Sequence, residues 1–345
     1  MSRKFQLFLA AFAVLCAVPA QAAPAPVAVE LRAERGELTT SDDVYVRFTV
    51  RNLGSRPQNL LLWNTPFGAD IDSDLFVVTR DGVPVAYLGA LAKRGAPAAE
   101  DFARLHPGRS VSGRVELTSL YDMSQPGSYE ISYRGAVRDL VPSETGRAMM
   151  PSNTVRIDVT GDARPSDAEF MKTMAEQATA ASLSYTRCTA TQQTGVAQAV
   201  GVASAYAEEA RVVLAGGATG PRFMTWFKSA SNLSAAANNF FKIDEAFDTK
   251  PVVVDCGCKK QYYAYVYPNQ PYKIYVCRAF WTAPVEGTDS RGGTLIHEMS
   301  HFDVVANTDD IAYGQAACRN LTAAQAINNA DTHEYYAENT PAERN

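Results

Sequence analysis

The stretch His297-Glu298-Met299-Ser300-His301 decides the predicted fold of this 345-residue chain. Residues four apart share one face of a helix, so His297 and His301 can direct ring nitrogens at one Zn²⁺. Glu298 would then lie beside the open coordination position. The chain has only four histidines, and two of them fall in this pentapeptide. The spacing therefore predicts the metal site of a zinc peptidase on a buried helix.

A catalytic zinc site needs three protein ligands and a water, so a third ligand is expected downstream. The pattern with Gly and His at the third and sixth positions after the second histidine is absent, because those places hold Val304 and Asn307. Asp310 lies beyond a turn predicted at Asn307 and is followed by a Tyr-Gly pair.

The segment Thr308-Asp309-Asp310-Ile311-Ala312-Tyr313-Gly314, placed after HExxH, resembles the aspzincins, the family of deuterolysin and peptidyl-Lys metalloendopeptidase. The resemblance implies one Zn²⁺ per chain. One departure is Asn307, where the family usually has Gly before the Thr. Because Asn also tolerates left-handed backbone, we expect the turn to be preserved.

Carried over residue by residue, the resemblance implies roles for five side chains. Three are metal ligands, one is a general base, and one is a hydroxyl near the reaction centre. The metal ligands are His297, His301 and Asp310, the general base is Glu298, and the hydroxyl near the reaction centre is that of Tyr313.

A second informative stretch runs from Asn329 to Asn339 and includes Asp331 and Glu334. Three residues apart on a predicted helix, the two carboxylates can converge on one spot, although such pairs commonly form a solvated acidic face. The run resembles the part of peptidyl-Lys metalloendopeptidases whose Asp and Glu bind the lysine after the scissile bond. It implies cleavage on the N-terminal side of Lys. An alternative makes Glu334 or His333 the third zinc ligand.

The first 22 residues have the pattern of an export signal. Arg3 and Lys4 precede an apolar run from Phe5 to Val18, and Ala20-Gln21-Ala22 forms a cleavage site. No other apolar run is long enough to span a bilayer, so we expect a secreted protein with no membrane partner. The net charge of −5 and the lack of a basic cluster argue against a nucleic-acid partner.

Residues 23–160 have the short alternating pattern of strands, as in Val44 to Val50, with turn signals between them. The pattern predicts an all-β, immunoglobulin-like sandwich. Nothing in this half resembles a catalytic cluster, and His106 is expected in an exposed Pro-Gly turn. The other predicted strands are Leu75 to Thr79, Val83 to Leu88, Val111 to Leu117, Tyr129 to Arg134 and Val155 to Val159.

The N-terminal module is interpreted as an inhibitory propeptide, with a permanent binding module as the alternative. Between residue 23 and the linker at 161–171, Lys93 in the loop-like segment 90–97 is the only lysine. The next is Lys172, so the Met171–Lys172 bond is a candidate autoprocessing site that would leave a catalytic domain of residues 172–345. Lys93 is either an occupant of the acidic pocket or an ordinary exposed loop lysine.

The C-terminal half is predicted to be an α+β, zincin-like domain. Predicted helices include Gly195 to Ala215, Pro221 to Ala246 and the zinc helix from Gly293 to Val304. Predicted strands are Val252 to Asp255, Gln261 to Tyr267 and Tyr272 to Val276.

Five cysteines lie in this half, which in an exported protein favours disulfides. The family resemblance implies the pairs Cys188–Cys256 and Cys258–Cys277. Cys318 is then left as a buried, unpaired thiol.

These observations predict a secreted zinc endopeptidase that acts on Lys-containing proteins and peptides and is inhibited by its own propeptide. Two alternatives stay open. One is a metallopeptidase of broad specificity that keeps the N-terminal domain, and the other is a non-catalytic binding protein with a zincin shell.

Overall fold

The computed structural model describes residues 26–68, 70–135, 152–166, 173 and 182–345. The predicted signal sequence and the Met171–Lys172 bond lie outside these ranges. Within them, no helix combines the length and the apolar character that a membrane span requires.

The described part of the N-terminal half is built from strands, with short 3-10 turns at Leu62–Asn64 and Ala99–Asp101. Its strands are β1 (Val27–Ala33), β2 (Glu37–Thr39), β3 (Tyr45–Asn52), β4 (Gln58–Leu61), β5 (Phe76–Arg80), β6 (Val83–Pro84), β7 (Leu91–Lys93), β8 (Phe102–Leu105), β9 (Ser110–Glu116), β10 (Gly127–Tyr133) and β11 (Val155–Thr160).

Two sheets, ordered β1-β3-β9 and β2-β11-β10-β5-β6, share one hydrophobic core. The predicted alternation is confirmed in β3, where Val46, Phe48 and Val50 are buried and Arg47 is exposed. The strand predicted from Val83 to Leu88 is wrong beyond its start. It ends at Pro84, although Val85 N still donates to the carbonyl of Val78 at 2.9 Å and Tyr87 forms an isolated bridge with Tyr121.

Strand β7 does not belong to either of these sheets. It pairs antiparallel with a strand of the C-terminal half, as the edge of the sheet β12-β13-β15-β14-β7. The segment 90–97 was expected to be a loop, and this expectation is wrong for Leu91–Lys93. Its hydrogen-bonding partner lies far away in the sequence, so no local pattern could indicate the pairing.

The C-terminal half alternates helices with a short sheet. Its strands are β12 (Ser182–Thr186), β13 (Pro251–Asp255), β14 (Ala264–Val266) and β15 (Lys273–Val276). Its helices are α1 (Ala190–Ala215), α2 (Pro221–Phe227), α3 (Leu233–Thr249), α4 (Arg278–Thr282), α5 (Arg291–His301), α6 (Gln315–Cys318), α7 (Ala323–Ile327) and α8 (Ala330–Glu338), with a 3-10 turn at Ala230–Asn232.

The helix predicted from Pro221 to Ala246 is interrupted. Lys228 adopts a left-handed conformation (φ 65°) and ends α2. The side chain of Ser229 then accepts a hydrogen bond from Ser231 N, and Asn232 donates to the carbonyl of Phe227. These local hydrogen bonds compete with the helix, as Ser and Asn commonly do.

Helix α5 lies in the middle of the C-terminal half, against α1, α3 and α8 and strands β7, β14 and β15. The Ser290 hydroxyl caps it by accepting from Gly293 N at 2.8 Å. A side chain at Gly292 would collide with Val202, and one at Gly293 with Glu338, so glycine allows this close packing. The helix ends at His301 rather than at Val304, because Phe302 is extended.

The two expected disulfides are present, with Cα–Cα distances of 4.9 Å for Cys188–Cys256 and 4.7 Å for Cys258–Cys277. Cys318 is a buried thiol, as predicted. The bridges connect the ends of β12, β13 and β15 and so brace the sheet that borders α5.

Candidate metal centre and active site

Three potential ligands converge on one point at the end of α5. The Nε2 atoms of His297 and His301 are 3.1 Å apart. Asp310 Oδ1 lies 3.0 Å from the first and 3.4 Å from the second. The three ligand atoms all fall within 4.8 Å of one another, and the side chains are buried. One cation at this point can be reached by all three.

The loop after α5 delivers Asp310 to the histidines. It turns at Asn307, whose φ of 50° confirms the predicted left-handed turn. Thr308 N then donates to the carbonyl of Ser300 at 3.1 Å. Asn329, just before α8, accepts from the backbone of Ile311 at 2.9 Å. The loop is thus anchored to elements on both sides of the site.

Both histidines are oriented through their second ring nitrogen. His301 Nδ1 lies 2.8 Å from the carbonyl oxygen of Thr308, to which it can donate. His297 Nδ1 lies 2.8 Å from Asp331 Oδ1. Such contacts fix the tautomer and leave Nε2 free to bind a metal. Asp331 therefore also positions a metal ligand, a role that the sequence did not indicate.

The donor set fits zinc. Two imidazole nitrogens and one carboxylate leave an open position, the arrangement of a catalytic zinc site. Both carboxylate oxygens of Glu298 are buried, and within the described ranges neither has a hydrogen-bond partner. Burial raises the pKa of Glu298 to about 7. A buried carboxylate with free acceptors can take a proton from a water that reaches it.

Lys93 of β7 enters the acidic pocket from the N-terminal half. Its Nζ lies 2.5 Å from Glu334 Oε2 and 3.3 Å from Asp331 Oδ1, and the residue is 1% exposed. Burial alone would lower the pKa of Lys93, but the surrounding carboxylates outweigh it and raise the pKa well above its usual range. Lys93 is therefore a buried ammonium rather than an exposed loop lysine.

Asp289 is a third carboxylate at this pocket, and no sequence pattern indicates it. Its Oδ1 lies 3.7 Å from Lys93 Nζ and accepts from the hydroxyl of Tyr335 at 2.6 Å. Glu338 holds the segment in place by accepting from Asp289 N at 3.1 Å and from Ser290 N at 2.8 Å. Asp289 lies in the turn before α5, where an acidic residue is unremarkable in the sequence.

The Tyr313 hydroxyl also faces β7. It donates to the carbonyl oxygen of Ala92, the residue before Lys93, at 2.7 Å. Burial raises the pKa of Tyr313 well above its usual range, so the hydroxyl keeps its proton and remains a donor. Tyr313 and the acidic pocket therefore contact two consecutive residues of the same strand.

Neither alternative ligand belongs to the group formed by His297, His301 and Asp310, although Glu334 belongs to a second group, with His297 and Asp331, that could hold a metal ion. His333 Nδ1 lies 3.0 Å from the carbonyl oxygen of Asn329, and its Nε2 lies 3.0 Å from Asn239 Nδ2. Glu334 Oε2 is 3.5 Å from His297 Nδ1, the ring nitrogen opposite the one that faces Asp310. His106 lies in an exposed turn, as expected.

Comparisons with known proteins identify the family of the chain. Residues 212–338 match the family model described as lysine-specific metallo-endopeptidase, aspzincin. An extracellular protease of Aeromonas hydrophila is 45% identical over 320 residues, which are 88% of this chain and 90% of the relative. The peptidyl-Lys metalloendopeptidase of Grifola frondosa is 31% identical over 313 residues, 86% of this chain and 88% of the relative.

The solved structure of a zinc peptidase from Grifola frondosa is 39% identical, with a TM-score of 0.44. The match covers 46% of this chain and 100% of the chain in the solved structure. The extent of the match to the two full-length relatives is what identifies the family. The chain therefore belongs to the aspzincin family of zinc metalloendopeptidases.

Proposed function

We propose that the chain is the precursor of a secreted endopeptidase that hydrolyses peptide bonds on the N-terminal side of lysine. One observation carries the proposal. A buried lysine side chain lies against three carboxylates, two of them buried, and the carbonyl before it accepts a hydrogen bond from Tyr313. Lys93 thus occupies the place that a substrate lysine would take.

In the proposed reaction, a zinc ion held by His297, His301 and Asp310 would polarise the scissile carbonyl and lower the pKa of a coordinated water. Glu298 takes the proton of the attacking water and later delivers it to the leaving amine. Tyr313 donates a hydrogen bond to the carbonyl oxygen as negative charge develops there. Loss of one such donor costs about 10²- to 10³-fold in rate in other enzymes.

Selectivity for lysine follows from the charge and depth of the pocket. Asp331 and Glu334 are buried, and an apolar or acidic side chain would leave their carboxylates without a cation. Truncating one partner of a buried charge pair costs about 2–5 kcal/mol. The rings of Tyr263 and Tyr335, with centroids 5.2 and 5.9 Å from Lys93 Nζ, add favourable contacts for an ammonium.

The N-terminal module is proposed as an inhibitory propeptide, with an immunoglobulin-like arrangement that its two packed sheets support. Ion pairs also connect the halves, at 2.7 Å between Arg134 and Asp309 and at 2.8 Å between Lys260 and Asp70. A module that stayed in this position would keep the pocket filled, which disfavours a permanent binding domain.

Maturation is proposed to follow the domain boundaries that the sequence predicts. Residues 1–22 are removed on export, 23–160 form the propeptide, and a cut at Met171–Lys172 in the linker 161–171 frees residues 172–345. The two disulfides support export, because disulfides form and persist in oxidising, extracellular environments. One relative is also named an extracellular protease.

The specificity is tested by digesting a denatured protein with the processed enzyme and reading the cut sites by mass spectrometry. We expect new N-termini to begin with Lys, and the Glu298→Ala enzyme to produce none. Cuts spread over many residue types would instead support broad specificity. A preparation that binds no zinc and cuts nothing would support a binding protein.

The zinc content of two variants distinguishes Asp310, the proposed third ligand, from the alternative ligand Glu334. Asp310→Ala removes a ligand atom that lies within 3.4 Å of both Nε2 atoms, so the protein should retain almost no zinc after dialysis. Glu334→Gln keeps the side-chain volume and should retain one zinc per chain. Elemental analysis of both variants beside the wild type measures this. Retention by Asp310→Ala and loss by Glu334→Gln would transfer the ligand role to Glu334.

A further inference from the structure

Strand β7 crosses the active site as an additional edge strand. It runs antiparallel to β14 with Lys93 opposite Ala264 and Ala92 opposite Tyr265, and Tyr263 N donates to the carbonyl of Lys93 at 3.0 Å. Peptides that bind by strand addition are held by main-chain hydrogen bonds, while pockets select their side chains. The backbone around Lys93 is therefore bound as a substrate backbone would be.

One peptide bond of β7 has both features that the proposed specificity requires: a carbonyl at the oxyanion donor, and a lysine after the bond in the acidic pocket. The bond between Ala92 and Lys93 has its carbonyl oxygen 2.7 Å from the Tyr313 hydroxyl. The side chain that follows this bond lies in the acidic pocket, 2.5 Å from Glu334. Inhibition requires only that a side chain fill the pocket. Here the carbonyl of the bond to be cut also faces the proposed oxyanion donor.

Residues on both sides of this bond are held firmly. Leu91 and Ala92 are buried on one side. On the other, the guanidinium of Arg94 pairs with Asp72 and lies 4.5 Å from the centroid of the Tyr262 ring. Holding a bond in a near-attack geometry is a large part of what an enzyme does for its substrate.

We propose that the proenzyme cleaves its own Ala92–Lys93 bond within the same molecule, so that β7 is the first substrate of the active site. The inference rests on the proposed function. Water attacks the carbonyl carbon of Ala92, and the bond to Lys93 N breaks. Ala92 keeps a carboxylate, and Lys93 gains an α-amino group after Glu298 returns the proton. The nick releases one end of the strand that blocks the site.

The test uses the full chain carrying Lys172→Ala, so that the linker is not cut, purified free of metal with a chelator and then supplied with zinc. We expect intact-mass analysis under denaturing conditions to show two fragments that together gain one water, with a new N-terminus at Lys93. The rate should not depend on protein concentration, because the cut is intramolecular. The Glu298→Ala chain with zinc should keep the bond intact.

A synthetic lysine peptide in the same samples separates this inference from the proposed function. If the peptide is cut while the Ala92–Lys93 bond stays intact, the inference is wrong and the proposed function stands. If neither is cut, the inference is wrong. The same assay with Lys93→Ala then tests the proposed function, because Lys93 no longer fills the pocket, and an uncut peptide there would refute it. A rate that rises with protein concentration would refute cleavage within one molecule.

A second readout needs no catalysis. In the metal-free chain, Lys93 should resist acetylation by an amine-reactive reagent, while the exposed Lys259 is modified quickly. Equal modification of the two lysines would show that β7 does not occupy the site, and the inference would fail.

Discussion

Glu298→Ala is expected to lower the hydrolysis of a lysine peptide by about 10²- to 10⁴-fold, because it removes the only proton acceptor proposed for the attacking water. Glu298 is not a proposed zinc ligand, so the variant should keep one zinc per chain. The fold should also persist, since a buried carboxyl without partners among the described residues is replaced by a small apolar side chain. Peptide hydrolysis, elemental analysis and circular dichroism measure the three quantities.

The same variant tests maturation. N-terminal sequencing of the secreted Glu298→Ala protein should find the chain uncut at Met171–Lys172, whereas the wild type should begin at Lys172. Glu286→Ala is a suitable control, because that carboxylate lies before α5 and is not among the residues that face the metal site. Appreciable proteolysis by zinc-loaded Glu298→Ala would show that another group accepts the proton.

The metal site was predictable because its geometry is local. Helical periodicity alone places His297 and His301 on one face, and a left-handed turn at Asn307 is within the normal range for Asn. The resemblance added Asp310, which local spacing could not have assigned. The role of Asp331 beside His297 depends on how α8 packs against α5, and that packing leaves no periodic signal in the sequence.

The parts that the sequence did not indicate depend on long-range contacts. β7 is three residues long and joins a sheet whose other strands are all in the C-terminal half. Asp289 faces Lys93 only because Glu338 fixes the turn before α5. Local propensity describes how a segment can fold by itself, whereas these features appear only when two distant segments meet.

Lys93→Ala is expected to activate the full chain. The change leaves three carboxylates around the pocket, from Asp331, Glu334 and Asp289, without the ammonium that they now surround. Breaking a buried ion pair by removing one partner costs about 3–5 kcal/mol. Since that cost destabilises the inhibited arrangement, the inhibition should weaken by about 10²- to 4 × 10³-fold.

The experiment uses chains that also carry Lys172→Ala, so that processing in the linker cannot open the site, and it compares initial rates, before the proposed cut at Ala92–Lys93 can release the strand in the parent. With zinc bound, the Lys93→Ala chain should hydrolyse a lysine peptide about 10²-fold faster than its parent. Lys259→Ala, which removes an exposed lysine, should leave the parent rate unchanged. Lys93→Arg keeps a cation in the pocket and should stay closer to the parent than Lys93→Ala does.

The comparison also separates inhibition from folding. A Lys93→Ala chain that binds zinc and keeps the wild-type circular dichroism spectrum, yet is no more active than its parent, would mean that the rest of the interface blocks the site without Lys93. The Arg134–Asp309 and Lys260–Asp70 pairs are two other contacts between the halves, beside the pairing of β7 with β14, but they are partly exposed. Exposed pairs are typically worth about 0.2–1 kcal/mol. The buried ammonium should therefore contribute more to the block than either of these surface pairs.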